Sequence, residues 1–248
     1  MKTARLFLAL CCFLLLASSL IAHFRIFEGR ASRLAAAVYP MTEIQDTDKL
    51  VYADFETMKD NRPSSSRGGW VQMLSYEESP TMRSSYKGMA GSNPPAPDIV
   101  RTSKDNPNKA ISFDYQLLGP NQWAGVGVEI HGQADKDGKL VPDDVSAYKY
   151  LMLQAYATGV PALRIEFLSK GQGIRVSNGY PQMTFKITAG FNTYKIPLKS
   201  LEQPQWADPR VATKDVLKKL TSISVTANCG PCAPTTGTVV IDNLVFQN

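Results

Sequence analysis

Acidic residues lie inside two short segments that otherwise have the composition of β-strands. Asp54 and Glu56 occupy residues 52–56 near the front of the chain, and Asp242 occupies residues 237–247 at its end. A carboxylate that is buried without a partner is strongly destabilising unless it takes up a proton. We therefore expect each of these acids to meet a cation, a helix end or backbone N–H donors.

Four further β-prone segments each carry one aliphatic and one polar set of side chains. The segments are 110–118, 124–131, 149–156 and 162–168. Because successive side chains of a strand point to opposite faces, the aliphatic sets are predicted to form the core and the polar sets an outer surface. If the four strands lie side by side, the polar sets form one continuous surface. The alternative is the ordinary solvent face of an antiparallel sheet, which is polar by default.

The polar sets contain the groups that sugar binding needs, namely a flat ring for stacking and paired hydrogen-bonding groups for hydroxyls. We predict that Tyr156 and Arg164 project from one face of consecutive strands, with Tyr156 as the ring and Arg164 as the paired donor. Gly125 and Gly127 are predicted to leave room for a ligand close to the sheet. The other predicted contacts are Gln154, Glu129, His131, Glu166 and, from a loop, Trp206.

Two alternatives concern the same side chains. Trp70 and Trp123 are rival ligand contacts, because each lies in or beside a loop, as Trp206 does. Glu129 and Glu166 are candidates for catalysis, since glycosidases hold two carboxyl groups about 5–10 Å apart. Nothing in the sequence distinguishes this pair from sugar-binding acids, and no nucleophile elbow, phosphate loop or histidine triad accompanies it. We therefore predict that the protein is not an enzyme.

The β-prone segments predict an all-β fold. They recur from residue 50 onward, separated by Gly, Pro, Asn, Asp and Ser, and a helical pattern occurs only at 213–220. This favours an antiparallel β-sandwich over a parallel βαβ architecture. The 248 residues are 44% hydrophobic and 20% charged, which suits one folded domain over 50–248. The formal charge of +5 comes from scattered Lys and Arg, so we predict no nucleic-acid partner.

Residues 1–22 have the pattern of an export signal. Lys2 and Arg5 precede an apolar run over 6–17, and small residues follow at 17–19. The alternative is an uncleaved membrane anchor, because the apolar stretch extended to Phe24 approaches the roughly 20 residues of a membrane helix. Either interpretation places the domain outside the cytoplasm, in the periplasm, at the cell surface or in the extracellular space. Residues 23–49 are predicted to be a linker.

Cys229 and Cys232 are predicted to form a disulfide, since nearby thiols of exported proteins usually end as one. Their spacing copies the dithiol of thioredoxins, in which a following helix lowers the pKa of the first thiol. Residues 233–237, which include Pro234 and Gly237, do not readily start such a helix. A redox enzyme is therefore the disfavoured interpretation.

The order of these motifs along the chain resembles that of the galactose-binding-like jelly-roll sandwiches. This group includes many carbohydrate-binding modules, among them the family 11 type, and the complex I intermediate-associated protein 30 family. The segments that carry the resemblance are 52–56 with its acidic motif, 146–155, 163–167, 192–198 with the following 203–206, 223–225 and 240–244.

The resemblance implies a monomeric, non-catalytic domain whose partner is a polysaccharide or oligosaccharide. The first and last strands lie side by side in these sandwiches, so Asp54 or Glu56 could approach Asp242. The resemblance thereby also implies a structural calcium ion, which we assign to Glu56 and Asp242. The alternative there is an acid satisfied by backbone N–H groups or a lysine. The alternative functions are a cell-envelope structural or assembly protein of the complex I intermediate-associated type and a glycan-active enzyme. A membrane is a partner only if the N-terminal segment stays uncleaved.

Overall fold

The computed structural model describes most of the chain from Lys49 onward. The described residues are 49–75, 77–79, 82–83, 85–86, 96–102, 107–132, 136, 138–174, 176, 179–228 and 234–248. The predicted signal or anchor, all of the predicted linker except Lys49, and the predicted Cys229–Cys232 disulfide lie outside these residues.

The described residues form sixteen strands, one short α-helix and one 3-10 turn. In chain order the strands are β1 (Lys49–Ala53), β2 (Met58–Lys59), β3 (Arg62–Pro63), β4 (Val71–Ser75), β5 (Glu77–Ser79), β6 (Met82–Arg83), β7 (Ser85–Tyr86), β8 (Asp98–Arg101), β9 (Lys109–Leu117), β10 (Trp123–Glu129), β11 (Tyr150–Ala157), β12 (Ala162–Leu168), β13 (Gln182–Lys186), β14 (Asn192–Pro197), β15 (Ser222–Asn228) and β16 (Thr235–Gln247). The 3-10 turn is Leu198–Ser200, and helix α1 is Thr213–Leu217.

Two antiparallel sheets enclose the core. The larger, seven-stranded sheet has the order β14-β11-β16-β9-β7, with β1 also paired to β16 and β8 to β9. The smaller, five-stranded sheet has the order β13-β12-β15-β10-β4. Aliphatic side chains of both sheets, such as Leu151 and Val225, belong to one buried cluster. The predicted antiparallel β-sandwich is confirmed.

Strand β16 explains how the front and the end of the chain come together. Its first part, Thr235 to Ile241, pairs with β9, and its last part, from Leu244, pairs with β1 along the same edge. At the β1 end, the Phe246 ring contacts Tyr52 in its own sheet and Phe167 in the opposite sheet. This edge of β16 therefore changes its pairing partner near Asp242. There the Asp242 side chain must replace the missing backbone hydrogen bonds between strands.

The prediction that four polar strand faces form one surface is wrong. Strands β9 and β11 belong to the larger sheet, whereas β10 and β12 belong to the smaller one. Their inward sets were predicted correctly, because burial depends on the alternation along each strand. The outward sets point to opposite sides of the sandwich, because consecutive strands cross between the sheets.

Helix α1 closes one end of the sandwich. Val216, Leu217 and the following Leu220 are buried, as the predicted helical spacing at 213–220 requires. No helix in the described ranges has the length and apolar character of a membrane-crossing segment.

Candidate functional site

The outward side of the smaller sheet carries most of the predicted ligand contacts. We call this surface the polar face. Its members, taken strand by strand from β4 to β13, are Gln72, Leu74, Trp123, Gly125, Gly127, Glu129, Ser222, Ser224, Thr226, Arg164, Glu166, Gln182 and Thr184. They alternate with core residues such as Val126 and Ile165, so the alternation of each strand fixes which side chains reach this surface.

The hydroxyl groups at the centre of the polar face are covered. Ser222, Ser224 and Thr226 of the central strand β15 are buried although they point away from the core. These short side chains lie between the longer side chains of β10 and β12.

The two glycines of β10 do not leave the predicted room for a ligand. A Cβ atom at Gly125 would lie 2.2 Å from the carbonyl oxygen of Val225, so glycine is needed there for the close approach of β15. A Cβ atom at Gly127 would lie 3.1 Å from a methyl group of Leu74. Neither glycine therefore provides open space beside the sheet.

Arg164 lies on β12, beside the central strand β15 of the polar face. Its guanidinium lies over the Trp123 ring, 5.7 Å from the centroid, and so reaches across β15. Arg164 Nε and Thr226 Oγ1 are buried without a hydrogen-bond partner in the described part of the chain, and the two residues are register neighbours. Burial lowers the pKa of Arg164, and the nearby Glu166 opposes this shift. Buried polar groups are normally satisfied, so these two atoms call for a partner.

Glu166 connects Arg164 to an exposed tryptophan. The Tyr180 amide donates to Glu166 Oε1 at 3.0 Å, and the Trp206 ring lies against the backbone of the preceding Gly179. Trp206 is 65% exposed. Burial raises the pKa of Glu166, against the lowering effects of Arg164, the Tyr180 amide, Lys170 and the Ser224 hydroxyl. Glu166 therefore lies between Arg164, which reaches toward β10, and the segment around Gly179 and Tyr180 that the Trp206 ring contacts.

Glu129 lies on the same face but across the central strand. Glu129 pairs with Ser222, whereas Glu166 pairs with Ser224, which places their Cα atoms roughly 12 Å apart by strand geometry. Burial raises the pKa of Glu129, and Lys170 and the Trp70 amide oppose the shift.

Three of the predicted ligand contacts lie outside the polar face. The prediction that Tyr156 and Arg164 share one face is therefore wrong. Tyr156 and Gln154 point outward from the larger sheet, and Gln154 Oε1 accepts a hydrogen bond from the Asn243 side chain at 3.2 Å. His131 lies just beyond β10, with Nε2 3.2 Å from Asp143 Oδ1, and Asp143 also forms an ion pair with Arg67. These partners suit structural roles for Gln154 and His131.

The hydroxyl groups of β15 were not among the predicted ligand contacts. The sequence did contain a pattern that indicates their outward orientation, because Ser222, Ser224 and Thr226 alternate with Ile223 and Val225. The alternation could show that they face outward, but the central position of β15 depends on long-range pairing.

The second predicted site surrounds Asp242, which is fully buried. Asn108 Nδ2 donates to Asp242 Oδ2 at 2.6 Å, and the Asn243 amide donates to Oδ1 at 2.7 Å. Burial raises the pKa of Asp242 to about 6; these donors lower it, while Glu56 and Asp54 raise it. The Asp242 carboxylate therefore lies where β16 changes its pairing partner from β9 to β1.

The donor set only partly fits a calcium ion. Glu56 and Asp54 are close enough to influence Asp242, yet Glu56 Oε1 accepts the Lys109 amide at 2.6 Å. Within the described residues, no group of three or more His, Cys, Asp or Glu side chains is arranged to hold a metal. The contacts fit the hydrogen-bonded acid, and the calcium ion stays a prediction.

We expect the stability that Asp242 contributes to fall as the pH rises. Its pKa is about 6 in the folded protein and ordinarily 3.8, so the folded state binds the proton more tightly. The contribution is fully present below the lower value and is lost as the pH rises through the higher one. Urea unfolding of the wild type and Asp242→Asn should show a stability difference that changes by about 2–3 kcal/mol between about pH 4 and about pH 7.5.

A bound calcium ion would reverse this pH dependence of stability, because it favours the charged carboxylate. In that case added calcium would raise the melting temperature of the wild type at neutral pH, and EDTA would lower it. The Asp242→Asn variant would respond to neither. A stability difference that does not change with pH would contradict the raised pKa.

Comparison with known proteins gives distant structural similarity. Neither a protein-family model nor a curated protein matches the chain. The chain is similar to the family 11 carbohydrate-binding module from Clostridium thermocellum, solved in complex with a β-1,3-1,4-mixed-linked tetrasaccharide, at 14% identity and a TM-score of 0.49, covering 81% of this chain and 95% of the module. It is also similar to the family 30 carbohydrate-binding module of a cellulosomal cellulase from the same organism, at 12% identity and a TM-score of 0.44, covering 71% and 97%. The family 11 module is of the type that the sequence resembles.

Proposed function

We propose that the protein binds a glycan non-catalytically on the polar face, between Trp123 and Trp206. Arg164, Thr226 and Glu166 supply the hydrogen-bonding groups, and Trp206 supplies an exposed ring at the edge of the sheet. Three strand spacings separate β10 from β13, which makes the surface roughly 14 Å wide. That width suits an oligosaccharide better than a single sugar.

The proposal rests on two buried atoms, Arg164 Nε and Thr226 Oγ1. Neither has a hydrogen-bond partner in the described part of the chain. A buried polar atom without a partner is unfavourable by about 1–3 kcal/mol. A sugar hydroxyl that enters beside Arg164 would provide a partner for both atoms after a small shift of the arginine side chain. Each hydroxyl group of a pyranose ring both donates and accepts hydrogen bonds, whereas an apolar ligand does neither.

The hydrogen bonding of Glu166 supports binding without catalysis. Its Oε1 accepts the Tyr180 amide at 3.0 Å, which holds the carboxylate in place. A carboxylate held in this way suits a fixed acceptor for a sugar hydroxyl.

The experiment is a glycan-array screen of the full chain, followed by calorimetric titration of the strongest hit. Arg164→Ala and Trp206→Ala should each weaken binding by roughly 1–3 kcal/mol. Arg164→Lys should also weaken it, because lysine keeps the charge but lacks the planar paired donors. The matched control is Tyr156→Ala on the opposite sheet, which should bind as the wild type does.

Folding and binding are separated by the choice of residues. Trp206 is mostly exposed, so its replacement should leave the melting temperature nearly unchanged while binding falls. Loss of binding in Tyr156→Ala together with normal binding in Arg164→Ala and Trp206→Ala would place the site on the larger sheet. Failure of the wild type to bind any glycan would overturn the proposed function.

A further inference from the structure

A cleft of about 640 Å³ lies at the end of the larger sheet, away from the polar face. Its walls are the start of β11, the 3-10 turn after β14 and helix α1. The Leu198 amide donates to the Lys149 carbonyl at 2.9 Å, which joins two of these walls. Its size falls within the range of about 300–1,000 Å³ that is typical of small-ligand sites.

The rim of the cleft is positively charged. We call it the lysine cleft, because Lys149, Lys199 and Lys214 line it. All three are exposed, and within the described ranges none of their side chains forms an ion pair. The nearest acids in sequence are Asp144, Glu202 and Asp215. None of the three lines the cleft, and Asp144 Oδ1 accepts the Ser146 amide.

The interior combines apolar and hydroxyl-bearing groups. Leu198 and Leu217 are buried at its base. Tyr148 packs on Phe246 with ring centroids 5.8 Å apart, which fixes the tyrosine ring in the wall. Outside the lining, Lys195 Nζ lies 3.7 Å from the centroid of the Tyr150 ring. The cleft therefore offers a fixed tyrosine ring with three lysines at its rim.

We propose that the lysine cleft is a second binding site, which takes a sugar unit bearing a carboxylate or a sulfate. The ammonium groups provide the charge complementarity, and a lysine acts as a point charge that accepts either anion. The fixed tyrosine ring and the leucines provide the surface on which a sugar ring packs. The sugar part of the ligand rests on the proposed function, whereas the charge requirement rests on the cleft alone.

The test uses the full chain and three oligosaccharides of similar length. Oligogalacturonate carries carboxylates, a sulfated galactan oligosaccharide carries sulfates, and its unsulfated form is the neutral control. Binding of either charged probe, with weaker binding at higher salt because exposed charges are screened, is the expected result. The charged probe that binds more tightly shows whether the site prefers a carboxylate or a sulfate.

Lysine substitutions locate that binding. Lys149→Gln, Lys199→Gln and Lys214→Gln should each weaken it by roughly two- to fivefold, the range expected for one exposed charge pair. The matched control is Lys218→Gln, which removes the same charge from the turn after α1 outside the cleft lining. It should bind as the wild type does.

Arg164→Ala separates this site from the polar face. It should leave binding of the charged probe unchanged, even if the glycan screen fails and the polar face binds nothing. Equal binding of neutral and charged probes, no binding of either charged probe, or equal losses in the cleft variants and Lys218→Gln would each overturn the proposal.

Discussion

Gly125→Ala is expected to destabilise the protein by at least about 3 kcal/mol, or to prevent folding. The added Cβ atom would lie 2.2 Å from the Val225 carbonyl oxygen and 2.7 Å from Thr226 Cα. These are backbone atoms of the central strand, so β10 and β15 would have to separate at the middle of the smaller sheet. Forced overpacking of this kind typically costs about 1–3 kcal/mol and sometimes more. Urea unfolding monitored by tryptophan fluorescence measures the change.

Gly127→Ala is the matched control, two residues along the same strand and on the same face. Its added Cβ atom would meet only the Leu74 side chain, with the nearest methyl group at 3.1 Å. A leucine side chain can rotate away, and alanine is favoured over glycine within a strand by roughly 0.5–1 kcal/mol. We expect a change of less than about 1 kcal/mol. Equal effects of the two substitutions would contradict the close approach of β15 at Gly125.

Phe246→Ala is expected to destabilise the protein by about 3–5 kcal/mol, the range for removal of a large buried ring. Phe246 is fully buried. Its ring centroid lies 5.9 Å from that of Tyr52 and 6.4 Å from that of Phe167. Because these partners come from β1 and from the opposite sheet, the cavity would weaken both the pairing of the first and last strands and the contact between the sheets. Chemical denaturation gives the free energy of unfolding directly.

Val245→Ala is the control for Phe246→Ala. Val245 is the preceding residue of β16, half-buried on the outward side. Its truncation removes less surface from water and leaves no enclosed cavity, so the expected loss is below about 1 kcal/mol. A loss for Phe246→Ala that is no larger than for Val245→Ala would contradict the role of the ring between the sheets.

Alternation along individual strands was the part of the fold that local sequence determined well. In β11 the inward set of Leu151, Leu153 and Ala155 is fully buried, as the pattern predicts. The acid at Asp242 was likewise expected to need partners, and Asn108 and Asn243 provide them. These inferences succeeded because burial and polar satisfaction are requirements on each residue that do not depend on which strand lies beside it.

The division of strands between the two sheets could not be predicted in the same way. Tyr156 and Arg164 occupy successive strands with similar patterns, yet β11 pairs with β14 and β16 while β12 pairs with β13 and β15. A strand with one aliphatic face satisfies the core equally well in either sheet. The choice depends on the combined pairing and loop geometry of distant segments, which the alternation pattern does not encode.

The sequence by itself therefore determined the all-β class, the inward residues of each strand and the presence of a buried acid in the last strand. The tertiary structure decided which outward residues share a surface. It separated Tyr156 from Arg164, joined Arg164 to Trp123 across β15 and brought Trp206 to Glu166 through Gly179 and Tyr180. The physical reason is that facing inward or outward is a local property with a period of two residues, whereas a binding surface is assembled from residues whose proximity arises only when long-range strand pairing is complete.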